Sequence, residues 1–211
     1  SGGNPSFPNI VAAGANSTIL HYTANNAVID DGDLLLIDTG INLRGYCSDV
    51  TRTWPASGKF SHPQLAIYRA VLAAQKSAIA SIMPGRPIFE FERKAVEILV
   101  EHLLELGISS GAKEEIIAAK GYSQFFMHSL GHMLGLDVHD IGGYYDGATP
   151  RVFEPGMVIT VEPGLYIPKS CAAPEEFRGI GVRIEDDVLV TANGHEVLTA
   201  DIPKDVEEIE A

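Results

Sequence analysis

Apolar residues fall into three successive regimes along the chain. From Ile10 to Trp54 they form short β-prone runs bounded by turn compositions. These runs are Ile10 to Ala13, Thr18 to Tyr22, Leu34 to Thr39 and Tyr46 to Trp54. The breaks between them are Gly14-Ala15-Asn16-Ser17, Asp31-Gly32-Asp33 and Asn42-Leu43-Arg44-Gly45. The last two runs read as a hairpin. Pairing symmetric about Leu43 and Arg44 sets Asp38 directly opposite Asp49, with β-carbons about 5 Å apart on one face.

After Phe60 the period changes. Ser61-His62-Pro63-Gln64 has the form of a capping box, and Leu65, Tyr68, Leu72, Ile79 and Ile82 follow at near-helical spacing until Pro84-Gly85. A second helix is predicted over Phe89 to Leu106, with Val96, Leu99, Leu103 and Leu106 as its buried stripe and Gly107 as its stop. Beyond Gly121 the pattern is again β-like, at Met157 to Glu162, Gly181 to Glu185 and Val188 to Thr191. Two groups of strands flanking a helical pair predict an α+β domain whose sheet gathers residues from both halves. With no low-complexity segment, short repeat or long linker, residues 1–211 are expected to form one domain.

Charge narrows the function. The 211 residues carry a formal net charge of −13, and clustered Lys and Arg are absent, which argues against a nucleic-acid partner. No apolar run approaches a membrane span. The two cysteines, Cys47 and Cys171, make no disulfide framework, and no signal peptide is recognisable, so a cytoplasmic location is expected. Ser1-Gly2-Gly3-Asn4-Pro5 leads into strand without a helix or cap, as though the chain began inside a larger unit.

Five residues placed among apolar neighbours could each donate to a metal: Asp38, Asp49, His132, Glu162 and Glu185. Buried carboxylates without a partner are costly, so positive charge must sit among them, and two divalent cations would supply it. Strand alternation turns Arg183 and Glu185 to one face, where the arginine can keep the carboxylate ionised or bind substrate. His128 and His132 are four apart, as in zinc proteases, but the intervening glutamate is missing and Gly131 and Gly135 weaken a helix. His132, within an apolar run, is the better ligand of the two.

The segments IDTGINLRGYCSDVTRTWP, HSLGHMLGLDVHD, ITVEPGLYIP and GIGVRIEDDVLVT resemble, in order and spacing, the signatures of the metallopeptidase family with the pita-bread fold. The resemblance runs from about Ile10 to the C-terminus and is strongest to its Xaa-Pro aminopeptidase branch. It implies a curved, mostly antiparallel sheet covered by helices, here without the N-terminal helices and separate upstream domain usual in that branch. It also implies that the five donors hold a dinuclear centre, usually manganese, with Asp49 and Glu185 bridging. Cobalt or zinc could substitute. His21, His128 and His139 match the family's histidines that surround the metal ligands, which bind substrate and stabilise the transition state. By the same resemblance Glu162 shuttles a proton, His139 and His128 donate to the developing oxyanion, and Tyr166, His21 and Arg183 wall a proline pocket.

The implied reaction removes the N-terminal residue from peptides with proline second, by attack of a hydroxide held between the two cations. Prolidases, which cleave Xaa-Pro dipeptides, carry very similar motifs. Pita-bread relatives that only bind peptides typically lack metal ligands retained here. Relatives also form dimers or tetramers, which makes a homo-oligomer an expectation.

Overall fold

The computed structural model describes residues 2–211. The first strands are β1 (Asn4–Pro5), β2 (Ile10–Ala13), β3 (Leu34–Thr39), β4 (Ile41–Leu43), β5 (Tyr46–Cys47) and β6 (Val50–Pro55). Three helices follow, α1 (His62–Ser81), α2 (Phe89–Glu105) and α3 (Lys113–Ala118). The chain then returns to strand with β7 (Tyr145–Asp146), β8 (Thr149–Pro150), β9 (Val158–Val161), β10 (Gly164–Ile167) and β11 (Ile180–Arg183). It ends with β12 (Asp186–Thr191), β13 (Gly194–Val197) and the single-turn α4 (Val206–Ile209). Among the described residues no helix is long and apolar enough to cross a membrane.

All strand pairs are antiparallel, in the orders β2-β3-β6, β13-β12-β9, β10-β11, β1-β4-β5 and β7-β8. The curved sheet is thus built from short ladders, joined by bonds that cross between them. Thr53 Oγ1 donates to the Arg183 carbonyl at 2.9 Å, and the Glu185 N–H donates to the Thr51 carbonyl at 3.0 Å. Those bonds seal β6 against β11 and the start of β12. Carboxylates from the two ends of the chain therefore meet at one seam.

The hairpin register differs from the symmetric expectation. Asp38 lies opposite Thr51, and Leu43 opposite Tyr46, because the turn is centred between Arg44 and Gly45. Both have positive φ, 56° and 96°, the conformation of a tight two-residue hairpin turn. An offset of two residues preserves the face, so Asp38 and Asp49 remain diagonal neighbours. Thr18 to Tyr22 also departs from the strand predicted there. Gly14–Thr18 is a 3-10 turn in which Ser17 Oγ donates to the Gly14 carbonyl at 2.7 Å and Thr18 Oγ1 to that of Ala15 at 2.8 Å. Hydroxyls bonding back to local carbonyls outcompete β-propensity here, and His21 is displayed from a loop.

The helices follow their pattern. Ser61 and Gln64 close the capping box, with the Ser61 N–H donating to Gln64 Oε1 at 2.9 Å. Tyr68, Leu72, Ile79 and Ile82 are buried and Leu65 half-buried, as α1 packs on β9, β10 and β11. Helix α2 covers α1 through Val96, Leu99 and Leu103. Burying Leu99 fully stabilises by about 1.5–3 kcal/mol, against about 0.3–0.5 kcal/mol for the exposed Arg93–Glu97 pair. Packing therefore sets the position of α2. Helix α3 was not anticipated, because its six residues bury only Ile116 and leave no period to read.

Candidate metal centre and active site

One pocket of about 470 Å³ collects all five candidate donors. Asp38 comes from β3, Asp49 from just ahead of β6, Glu162 from just after β9 and Glu185 from just ahead of β12. His132 rides on a loop whose N–H donates to Thr160 Oγ1 of β9 at 3.0 Å. That close approach requires glycine next door, since a Cβ at Gly131 would lie 1.9 Å from the Thr160 carbonyl oxygen. Asp49, His132 and Glu185 offer donor atoms within 4.8 Å of one another. His132 Nε2 is 3.5 Å from both Asp49 Oδ2 and Glu162 Oε1.

The carboxylates are too close to be ionised together without positive charge. Burial, with Asp38 nearby, raises Asp49 to about 6 despite its contact with His132. Burial likewise raises Glu162 to about 7, opposed by Arg183 and His132, and lifts Glu185 well above the carboxylate range, reinforced by Glu162 and Asp49. His132 is raised because its contacts with Asp49 and Glu162 outweigh burial. Oδ1 of Asp38 and Oδ1 of Asp49 are buried without any hydrogen-bond partner. A bare carboxylate oxygen in a desolvated pocket needs a water or a cation beside it, and Oδ1 of Asp187 is bare in the same way. The mostly oxygen donor set with one imidazole suits a hard divalent ion.

A second layer of hydrogen bonds orients these donors. Arg183 Nη2 donates to Asp38 Oδ2 at 2.8 Å, Thr51 Oγ1 to Glu185 Oε2 at 2.7 Å and the Asp49 N–H to Asp187 Oδ2 at 3.1 Å. His132 Nδ1 lies 3.1 Å from the Met133 carbonyl, which assigns the proton to Nδ1 and leaves Nε2 as the donor to a cation.

The predicted substrate-side residues divide into two groups. His21, His139 and Arg183 line the pocket, with the His139 ring edge-on to His132 at a centroid distance of 4.4 Å. Burial and the neighbouring His132 lower the His139 pKa. His128 also lines the pocket, but both its ring nitrogens are engaged: Nδ1 with the Ser129 carbonyl and Nε2 with the Tyr166 hydroxyl, each at 2.8 Å. That leaves no free N–H for the expected oxyanion contact. Burial depresses His128 to about 4, so it is neutral at pH 7.

Tyr166, expected as a pocket wall, is instead fully buried behind it. Its hydroxyl accepts from Arg183 Nη1 at 3.0 Å and donates to His128, linking two residues that do reach the pocket. Tyr166→Phe strips both of a buried partner. It should lower stability by about 1–3 kcal/mol, read by urea unfolding.

Apolar lining comes from residues that were not anticipated: Phe7, Pro8, Ile10, Leu20 and Val138. Ile10 was within reach of sequence reasoning, since it lies opposite Asp38 in the β2–β3 register. Phe7 and Pro8 precede β2 in a segment with no periodic signal.

Residues 1–192 match the profile of metallopeptidase family M24. The chain belongs to this family. As an M24 member it is 50% identical over 206 residues to the Xaa-Pro aminopeptidase of Haemophilus influenzae, covering 98% of this chain and 48% of that protein. The Escherichia coli Xaa-Pro aminopeptidase is 49% identical over 207 residues, covering 98% and 47%. The solved structure of Pseudomonas aeruginosa aminopeptidase PepP superposes with a TM-score of 0.97 at 51% identity, covering 99% of this chain and 48% of that one. The M24 chain thus has the pita-bread fold, and it spans about half the length of the curated relatives it matches. Membership in a metallopeptidase family implies divalent ions, and the unpartnered buried oxygens at Asp38 and Asp49 are compatible with that requirement.

Proposed function

We propose that the chain hydrolyses the bond between an N-terminal residue and a following proline. The observation that carries this reading is the cluster of Asp49, His132 and Glu185 donor atoms in a pocket that also has apolar lining. Asp38, Asp49, His132, Glu162 and Glu185 would hold two divalent cations, Mn²⁺ by the hardness of the donor set, supplying Lewis acidity and a more acidic water. The unpaired Cys47 and Cys171 fit a reducing, cytoplasmic setting.

Around that centre the side chains divide the work. Glu162 Oε2, 3.7 Å from His128 Nδ1, takes the proton of the attacking water and returns it to the leaving proline nitrogen. His139 Nε2–H or Nδ1–H donates to the carbonyl oxygen as charge develops there. The substrate's free amine sits beside Asp38, whose other oxygen is held by Arg183. Ile10, Leu20 and Val138 offer an apolar surface for the proline ring, with His21 at its edge.

Substrate length tests the assignment. The chain loaded with Mn²⁺ should release the first residue of Xaa-Pro-Xaa tripeptides, measured by chromatography of the products. Cleavage of Xaa-Pro dipeptides alone would make it a prolidase instead. Binding of either peptide without cleavage would leave only a peptide-binding module.

A further inference from the structure

We propose that Thr51 is a positioning residue that couples the cation side of the pocket to its substrate side. What each side does rests on the peptidase reading above; the coupling rests on hydrogen bonds. Thr51 is fully buried on β6, two residues beyond Asp49 and opposite Asp38 in the register. Its single hydroxyl proton goes to Glu185 Oε2 at 2.7 Å, while its oxygen accepts from Arg183 Nε at 3.1 Å. A guanidinium can only donate, so the hydroxyl oxygen must accept from Arg183 and its one proton is left for the Glu185 oxygen it faces.

Thr51 therefore sits at the joint of two networks. Arg183 extends one of them, through Nη2 to Asp38 and Nη1 to Tyr166 and on to His128. Glu185 is held at a second point as well, since its N–H donates to the Thr51 carbonyl. Thr160 contacts only His132 and Glu162 of the donors, and Asp187 contacts Asp49. Arg183 itself touches both Asp38 and the Tyr166–His128 pair, which makes the hydroxyl that holds its Nε the link from that pair to Glu185. A shift of Glu185 on cation binding must then move the hydroxyl that orients Arg183, and an Arg183 displaced by substrate must loosen Glu185.

Thr51→Val and Thr51→Ser in the full chain separate hydroxyl from bulk. Valine keeps the shape and favours strand but removes both hydrogen bonds, whereas serine keeps the bonds and removes a methyl. Calorimetric titration of Mn²⁺ into cation-free protein should show Thr51→Val weakened by about 10–100-fold and Thr51→Ser within about threefold of wild type. KM for an Xaa-Pro-Xaa tripeptide should rise for Val and not for Ser, with circular dichroism confirming that both fold. Should Val not fold, Thr51→Ala read against Thr51→Ser gives the same contrast. The coupling is overturned if Val binds Mn²⁺ like wild type, if Ser weakens as much as Val, or if the wild-type chain binds no Mn²⁺. A wild-type chain that binds Mn²⁺ yet cleaves no peptide overturns the peptidase reading alone, because the Val–Ser contrast in Mn²⁺ affinity remains measurable.

Discussion

Glu162→Gln is expected to lower kcat for an Xaa-Pro-Xaa tripeptide by about 10²–10⁴ while leaving KM near its wild-type value. Gln has the volume and hydrogen-bonding length of Glu but can neither take nor release a proton near neutrality. The native residue is suited to both. Burial raises Glu162 in the cation-free chain, with Arg183 and His132 pulling the other way, and a bound cation would lower it again. Its fitness to carry the proton therefore rests on its place in the pocket and on a carboxylate's ability to take and return one. Its two oxygens also face different partners, Oε1 toward His132 and Thr160 and Oε2 toward His128. Gln can still offer its carbonyl oxygen to a cation, so calorimetric Mn²⁺ binding measured alongside separates lost proton transfer from a lost ligand. A variant that binds Mn²⁺ and keeps kcat within a few-fold of wild type would remove Glu162 from the proton path.

That Glu162 could be singled out at all reflects how the site is encoded. Each of the four carboxylates sits at or beside the end of a short strand, and strand ends are legible from turn composition even where register is not. His132, on a loop, stood out only by its apolar neighbours. Asp38 and Asp49 show the limit. Their shared face followed from period-two alternation, but their exact pairing depended on the positive φ of Arg44, a position a non-glycine residue seldom adopts.

Tyr166 was misplaced for a different reason. Every residue of β10 is buried, so alternation in that strand carries no sense of which side faces the pocket. The anchoring threonines were missed because a Thr in a strand already has an explanation in β-propensity. Only the bonds that tie β6 to β11 reveal that Thr51 and Thr53 face residues more than a hundred positions away. Long-range seams of this kind leave no local pattern.

The same crowding of carboxylates predicts how the protein responds to chelation. Dialysed against EDTA, the chain should lose thermal stability as pH rises, and Mn²⁺ should restore it most at the high end of the range. Asp49 is raised from 3.8 to about 6, Asp187 from 3.8 to about 7 and Glu162 from 4.5 to about 7, with burial the leading cause at each. Groups raised on folding contribute stability that is complete below their unfolded values and lost as pH climbs through the folded ones. For Asp49 alone that amounts to about 3 kcal/mol, and the three are neighbours whose effects do not simply add.

His128 works in the opposite sense. Depressed from 6.5 to about 4, it adds stability as pH rises between those values and nothing further above them. Its contribution partly masks the carboxylates up to pH 6.5. Beyond that point His132, held above its usual value, joins Glu162 and Asp187 in losing stability. The decline of the cation-free chain should therefore run from about pH 4.5 to about 7, where three carboxylates outnumber the one opposing histidine, with His132 extending it above. Over that interval bound cations replace the missing protons, and because ligands must be deprotonated to bind, Mn²⁺ affinity grows as the protons leave. At a hundredfold excess over its Kd, each Mn²⁺ bound adds about 2.7 kcal/mol, or about 5–10 °C in Tm for a chain of this size. Scanning calorimetry at pH 5, 6.5 and 8, with and without Mn²⁺, reads the whole pattern. An EDTA-treated chain as stable at pH 8 as the loaded one would mean that these carboxylates are neutralised by something other than cations.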